Sequence, residues 1–341
     1  MADRFENGDT GNDRGGIPGG RLDHGFDATH KGFYHGGDLK GMLDRIDYIK
    51  GLGTTAIWLT PSFKNKPVQG PSGQETSGYH GYWITDFTQI DPHLGSNDDL
   101  TALVTAAHAR GMKVFFDIIT NHTADVITYE QKPSGPAPYG YVPKDDVPYR
   151  DAAGTPFDDR DFAGTDGFPA LDAETSFPFR PVAGSGAFDQ KVPAWLNDLT
   201  LYHNRGDTTF TGENSLHGDF FGLDDLMTEH PRVVDGMADI YKRWITDFKI
   251  DGFRIDTMKH VNDEFWREFA PEVLEHARSQ GKNEFLMFGE VFDTTKTFTS
   301  HFTTRDRVQA VLDFPFQAAA QDFAARSGAT SSLRDFFAGD D

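Results

Sequence analysis

Apolar positions follow two alternating rhythms along this chain. Short runs at 54–59 (TTAIWL), 113–118 (KVFFDI), 249–255, 283–291 and 309–312 carry apolar, β-favouring residues on both faces. Between them lie stretches with a helical period. Leu39, Leu43, Ile46 and Ile49 share one face of a helix over 38–50. Ser96 is placed to cap a helix that ends at Gly111. Pro231 opens another as a first-turn residue, with Val234, Met237, Tyr241 and Trp244 along one face. A fourth helix runs around 264–278. Strands buried on both faces and separated by helices predict a parallel sheet. With this many units a (β/α)8 barrel is the leading architecture, ahead of a doubly wound open sheet.

One interval breaks the rhythm. The stretch 123–218 is rich in Pro, Gly, Asp and Phe and has no sustained helical period. A loop of that length without a role is unusual. Its aromatics, Tyr139, Tyr141, Tyr149, Phe157, Phe162, Phe177 and Trp195, speak against a disordered linker. The organisation predicted is a barrel in two parts, 1–122 and 219–341, interrupted by an irregular inserted domain at 123–218.

Composition narrows the function classes. Lys and Arg total 32 against 53 Asp and Glu, a net charge of −21. So acidic a chain argues against nucleic-acid binding, which needs a basic surface. There is no cysteine, which excludes disulfides and thiolate metal sites. No apolar run approaches the ~18 residues of a membrane span. The polar opening Met1-Ala2-Asp3-Arg4 shows no signal peptide. No phosphate loop, zinc-protease helix or serine elbow occurs.

Asp256 and Glu290 are 34 positions apart, the length of a single βα unit. Neighbouring parallel strands lie roughly 4.8 Å apart. Carboxylates at the ends of two such strands would therefore stand about 5 Å apart, the separation a retaining glycosidase needs. Arg254 is two residues before Asp256 and points the same way from its strand. Its charge would keep Asp256 ionised.

Four segments, DIITNH (117–122), LDDLMTEHP (223–231), DGFRIDTMKH (251–260) and FGEVF (288–292), occur in that order. Together with YHGYWITDF (79–87) and DRFENGD (3–9), they resemble ordered regions of the α-amylase superfamily of glycoside hydrolases. The likeness spans nearly the whole chain and is nearest to bacterial secreted amylases and the amylase-like portions of amylopullulanases. It implies that Asp256 is the nucleophile and Glu290 the general acid/base. It implies that His122 hydrogen-bonds the sugar at the cleavage point and that Tyr82 is the platform beneath it, with His80 and Trp83 nearby. Lys259 and His260 resemble residues on the leaving-group side. Taken singly, each position also suits a structural role: an Arg–Asp pair as a salt bridge, Tyr82 and Trp83 as core.

Asn7, Asp9, Asn12 and Asp13 form an oxygen-rich loop without EF-hand spacing. From the residues alone, a solvated turn and a metal site are both open. The resemblance implies calcium there, held by those four, the Gly36 carbonyl and Asp38. It implies a second calcium bridging barrel and insertion through Asn121, Asp225 and the His260 carbonyl, with one further ligand unassigned. Hard oxygen donors suit Ca2+.

The resemblance also implies a first barrel strand ahead of Asp3, which makes 113–118 the third. It further implies an Asn-His-Asp at the end of a seventh strand, which does not follow Glu290 here. The expectation is an incomplete barrel, its first strand truncated and its last two missing, poorly stable and nearly inactive alone. The function implied is retaining hydrolysis of α-1,4-glucans such as starch. The alternatives are a glucanotransferase, an α-1,6 debranching enzyme, and a non-catalytic sugar-binding barrel, which retention of both carboxylates argues against. A polymeric glucan substrate points to an extracellular protein. No nucleic acid, membrane or protein partner is implied.

Overall fold

The computed structural model describes residues 1–130, 140–326 and 328–338. Tyr139 and its neighbours from 131 lie outside the described residues. Five parallel strands form the central sheet: β1 (Ala56–Leu59), β2 (Lys113–Ile118), β3 (Gly252–Ile255), β4 (Leu286–Gly289) and β5 (Ala310–Val311). They stand side by side in chain order, as the strands of a barrel do. Every strand the apolar runs predicted is present, most of them shorter at their ends.

The arc is open among the described residues, with β1 and β5 at its edges. Among the described residues no closed barrel is seen: the sheet holds five strands, the five that the apolar runs predicted. The reason is local. Before Phe33 the chain is dominated by Gly, Asp and Asn turns, and residues 2–4 form a 3-10 turn rather than a strand remnant. After β5 it turns helical, over Phe314–Ala325 and Thr330–Ala338.

The helices cover the convex face. The predicted 38–50 helix is two, α1 (Leu39–Asp44) and α2 (Ile46–Gly51), broken at Arg45. α3 (Asn97–His108) starts at Ser96, whose hydroxyl and Asp99 form a reciprocal cap. α4 (Pro231–Phe248) has Pro231 in its first turn and buries Val234, Met237, Tyr241 and Trp244. The Trp244 ring meets Phe63 at 4.9 Å and Phe116 of β2 at 5.3 Å, and its N–H donates to the Phe87 carbonyl at 2.7 Å. α5 (Asp263–Ser279) packs beside α4 and buries Phe265, Trp266 and Phe269.

Period-2 alternation divides β3 between the two faces. Phe253 points outward to Tyr241 of α4, while Arg254 points inward beneath Trp58 of β1. Gly252 has no room for a side chain, because a Cβ there would meet the Phe115 ring at 2.1 Å. The close approach of β2 to β3 depends on that.

Segment 123–218 is irregular, as its sequence predicts. Its regular parts are two-stranded ribbons: Ile127–Tyr129 with Pro181–Ala183, and Tyr149–Arg150 with Pro156–Phe157. Tyr149 and Phe177 form a small core of their own with Met227. Asp224 ties the segment down, accepting from the Val126 and Ile127 N–H groups and pairing with buried Lys191 at 2.6 Å.

Candidate active site

β3 and β4 run in register, Ile255 beside Gly289, so Asp256 and Glu290 leave the two strand ends side by side. The Glu290 N–H donates to the Ile255 carbonyl at 2.8 Å, which extends the ladder one residue past the strands. The two side chains share one guanidinium. Arg254 Nη1 lies 2.6 Å from Asp256 Oδ1, and Nη2 lies 3.0 Å from Glu290 Oε2. Nη1 also donates to Asp117 Oδ1 at 2.7 Å, across the register that pairs Arg254 with Asp117 of β2.

Three carboxylates on one cation cannot all be comfortable as anions. Burial pushes Asp117 up to about 7 and Asp256 up to about 6, with Arg254 opposing both shifts. Burial works against the charge of Arg254 too, but Asp117, Asp256 and Glu290 overcome it and hold the guanidinium charged. The Asp256 charge adds to the rise of Asp117, and the Glu290 charge to that of Asp256. The two strand-end acids differ in access: the Asp256 side chain is 9% exposed and that of Glu290 26%. One is sheltered, and the other reaches into open space.

Thr257 follows Asp256 with φ +47°. A β-branched residue in the left-handed region is strained by about 1–3 kcal/mol. The turn it makes aims its N–H at Glu290 Oε2, 3.3 Å away.

A cleft of about 1330 Å3 opens over these groups. Arg254, Asp256 and Glu290 line its floor, and Tyr82, Trp83 and His122 line its wall. The Tyr82 hydroxyl donates to Asp117 Oδ2 at 3.3 Å, and His80 stacks on the Tyr82 ring at 5.6 Å. Burial lowers His80 to about 4 and His122 to about 3, so both imidazoles are neutral. The buried His122 Nε2 has no hydrogen-bond partner among the described residues. His80, Lys259 and His260 do not line the cleft. Lys259 donates to the Phe292 carbonyl at 2.7 Å, and the His260 ring meets the Ser215 carbonyl at 2.7 Å. Phe220 lies between His260 and His122, with centroids 5.2 and 5.7 Å away.

Some groups were missed by the sequence reading. Asp117 was read only as part of a motif. The signal available was an acid ending the apolar run KVFFDI, at the height of Arg254. Trp58, whose Nε1 donates to Asp117 at 3.1 Å, and Phe221 on the cleft wall gave no sequence signal.

The oxygen-rich loop closes on itself. Asp38 is fully buried and accepts from the Gly8, Asp9 and Gly41 N–H groups and from Asn12 Nδ2. Asn7 Nδ2 donates to Asp13 Oδ1 at 2.8 Å. A Cβ on Gly36, which sits at φ +89°, would come within 2.6 Å of both Asn7 and Asp13. Asn12 Oδ1 is buried without a partner. Burial raises the pKa of Asp13, and Asp38 and Asp9 add to the rise.

At the second candidate position, Asn121 Nδ2 lies 3.0 Å from Asp225 Oδ1, both residues being buried. An asparagine amide is assigned by its surroundings. Turned over, all three of these Asn–Asp contacts set oxygen against oxygen, which a cation between them reconciles. The residues fit calcium. Asp219 Oδ1 accepts from the Asp225 N–H at 3.2 Å, which brings one further carboxylate, just past the 123–218 segment, to the second position.

Comparison with known proteins follows this geometry. The family model "Alpha amylase, catalytic domain" matches residues 1–340. An α-amylase of Streptomyces lividans is 53% identical over 326 residues, covering 95% of this chain and 35% of that protein. The crystal structure of the Geobacillus thermoleovorans α-amylase complexed with acarbose superposes with a TM-score of 0.65 at 29% identity, covering 99% of this chain and 56% of that one. CldA, a cyclomaltodextrin glucanotransferase, gives a TM-score of 0.69 at 28% identity, with coverage of 99% and 59%. The chain thus spans about a third of the length of the curated amylase and over half of each solved chain.

Asp256 titrates near pH 6 because burial outweighs Arg254, so removing the cation should raise it further. Carboxyl-carbon NMR of Arg254→Gln should show the Asp256 midpoint about 1–3 units higher. Leaving the buried Asp117 and Asp256 without their cation should also cost about 3–5 kcal/mol, read as a fall in the denaturant midpoint. An unmoved midpoint would mean that Arg254 does not govern the carboxylates.

Proposed function

The chain belongs to the α-amylase catalytic-domain family, and from that premise we propose that it hydrolyses α-1,4-glucosidic bonds of starch-like glucans with retention of configuration. The observation that carries the reading is the single guanidinium bonded to both strand-end carboxylates. It sets the two acids on adjoining strands, close together, as a double displacement requires.

Asp256, sheltered and charged above about pH 6, attacks the anomeric carbon. Glu290, the more open of the two, gives its proton to the departing glycosidic oxygen. The bond to the leaving sugar breaks as the ester to Asp256 forms. Glu290 then takes a proton from water, whose oxygen attacks the same carbon and frees Asp256. Tyr82 supports the apolar face of the sugar in the cleft. The unpartnered Nε2 of neutral His122 hydrogen-bonds a hydroxyl of that sugar. His80 and Trp83 hold Tyr82 in position. Lys259 and His260 flank the leaving-group side from behind Glu290.

The same carboxylates serve a glucanotransferase, in which a sugar hydroxyl replaces the water, and the similarity to CldA keeps that second reading in view. The domain limits proposed are 1–122, 123–218 and 219–341. Calcium is held by Asn7, Asp9, Asn12, Asp13, the Gly36 carbonyl and Asp38, and again by Asn121, Asp225 and the His260 carbonyl. Bound there, Ca2+ supplies charge balance and rigidity rather than chemistry. No described helix is long and apolar enough to cross a membrane. The size of a glucan polymer supports a location outside the cell.

Replacing Glu290 with Gln should lower kcat on amylose by at least about 100-fold, since general acid–base catalysis contributes about 10²–10⁴-fold. Product analysis separates the readings: linear maltooligosaccharides support hydrolysis, and cyclic or elongated glucans support transfer. Unchanged turnover by Glu290→Gln would remove Glu290 from the chemistry.

Calcium at 100 times its Kd should stabilise the protein by about 2.7 kcal/mol for each site filled. Differential scanning calorimetry should show that gain reduced in Asp13→Asn and in Asp225→Asn. Equal gains in the wild type and both variants would place calcium elsewhere.

A further inference from the structure

Behind the cleft, where segment 123–218 meets the chain leading into α4, two histidines turn their Nε2 atoms toward one carboxylate. His203 Nε2 lies 2.9 Å from Glu229 Oε2, and His217 Nε2 lies 3.4 Å from Glu229 Oε1. None of the three side chains is more than 3% exposed, and their donor atoms all lie within 4.8 Å of one another. Asp159 Oδ2, fully buried, stands 3.0 Å from His217 Nε2.

The other ring nitrogens are already engaged. His203 Nδ1 is 2.6 Å from Asp225 Oδ2, and His217 Nδ1 is 3.0 Å from the Glu213 carbonyl oxygen. Each acceptor fixes the hydrogen on Nδ1 and leaves the Nε2 lone pair facing inward. That is how outer acceptors orient metal-binding imidazoles. His217 Nε2 faces two carboxylate oxygens, at 3.0 and 3.4 Å, and the Lys144 ammonium at 3.5 Å, yet carries at most one hydrogen. A cation at the centre satisfies all the converging atoms at once. Bonds of about 2.0–2.1 Å in a tetrahedron put donors about 3.3 Å apart, the scale of the separations here.

The charges agree. Asp159, Glu229 and Asp225 bring three negative charges. Lys144, 2.7 Å from the outer oxygen of Asp159, brings one positive charge. A divalent cation with two neutral imidazoles offsets this negative charge, and Asp225 is shared with the second calcium position. Two protons in place of the metal give the same sum, so a pair of imidazoliums is the competing state.

We propose that His203, His217 and Glu229 form a binding site for a divalent transition metal of the zinc type, with Asp159 beside His217. Its nitrogen donors separate it from the all-oxygen calcium positions. Asp159, His203 and His217 come from segment 123–218 and Glu229 from the approach to α4, so the metal clamps the cleft wall to the sheet. A second cluster, Asp263, His301 and Asp306, already has the Arg267 guanidinium 3.2 Å from both of its carboxylates. It serves as the internal control.

The test strips the protein with a chelator, restores excess Ca2+ and titrates with Zn2+. One zinc per chain should survive gel filtration, and X-ray absorption should show two imidazole nitrogens at about 2.0–2.1 Å. Co2+ in its place should give the intense visible bands of a tetrahedral ion. His217→Gln and Glu229→Gln should lose stoichiometric zinc, while His301→Gln keeps it. Three results overturn the proposal: no zinc retained by the wild type, an oxygen-only shell, or zinc lost from His301→Gln and kept by His217→Gln. If the His217 and Glu229 variants fail to fold, the wild-type absorption spectrum decides alone.

Discussion

One buried guanidinium organises the candidate catalytic centre. Arg254 can reach Asp117, Asp256 and Glu290 together only because β2, β3 and β4 are parallel, adjacent and in register. Shifting β3 by one residue would turn Arg254 toward the helices and Phe253 toward the cleft. The packing of Phe253 on Tyr241 and the closeness permitted by Gly252 therefore act on the chemistry, since they fix which face of β3 is which. A buried ion cluster adds little to stability when complete and costs several kcal/mol when broken. Its value here is positional: it holds two acids at one place in a cleft, in different surroundings.

That difference carries the division of labour. Asp256 sits low among Arg254, Thr257 and the sheet, and Glu290 extends upward into solvent. The strained Thr257 turn contributes an N–H to Glu290 Oε2 and so couples the backbone after one acid to the side chain of the other. Segment 123–218 supplies much of the facing wall. Buried carboxylates secure it: Asp224 on backbone N–H groups and Lys191, and Asp225 on His203. Part of the chain's acidity thus lies inside, some of it at the joins between the sheet and the irregular segment. A net charge alone would suggest only a soluble surface.

The β/α units were legible because apolar runs and helical periods are local signals. Ser96 and Pro231 mark helix starts by chemistry that needs no tertiary partner. The pairing of Asp256 with Glu290 was legible because one βα unit has a characteristic length, and the register preserves their 34-residue offset. Asp117 and Trp58 were not legible as site residues, because what they do depends on cross-strand neighbours 137 and 59 positions away. The His203–Glu229–His217 cluster was invisible for the same reason. The break of the 38–50 helix at Arg45 shows where periodicity stops deciding.

The central claim is that Asp256 attacks the sugar while Glu290 serves the leaving group. The most direct measurement traps the covalent state. The protein is incubated with a fluorinated α-glucosyl fluoride that forms the glycosyl-enzyme faster than water releases it, then digested and sequenced by mass spectrometry. One glycosyl group should appear on Asp256, with none on Glu290 or Asp117. A label on another carboxylate, or product of inverted configuration with no covalent adduct, would contradict the account.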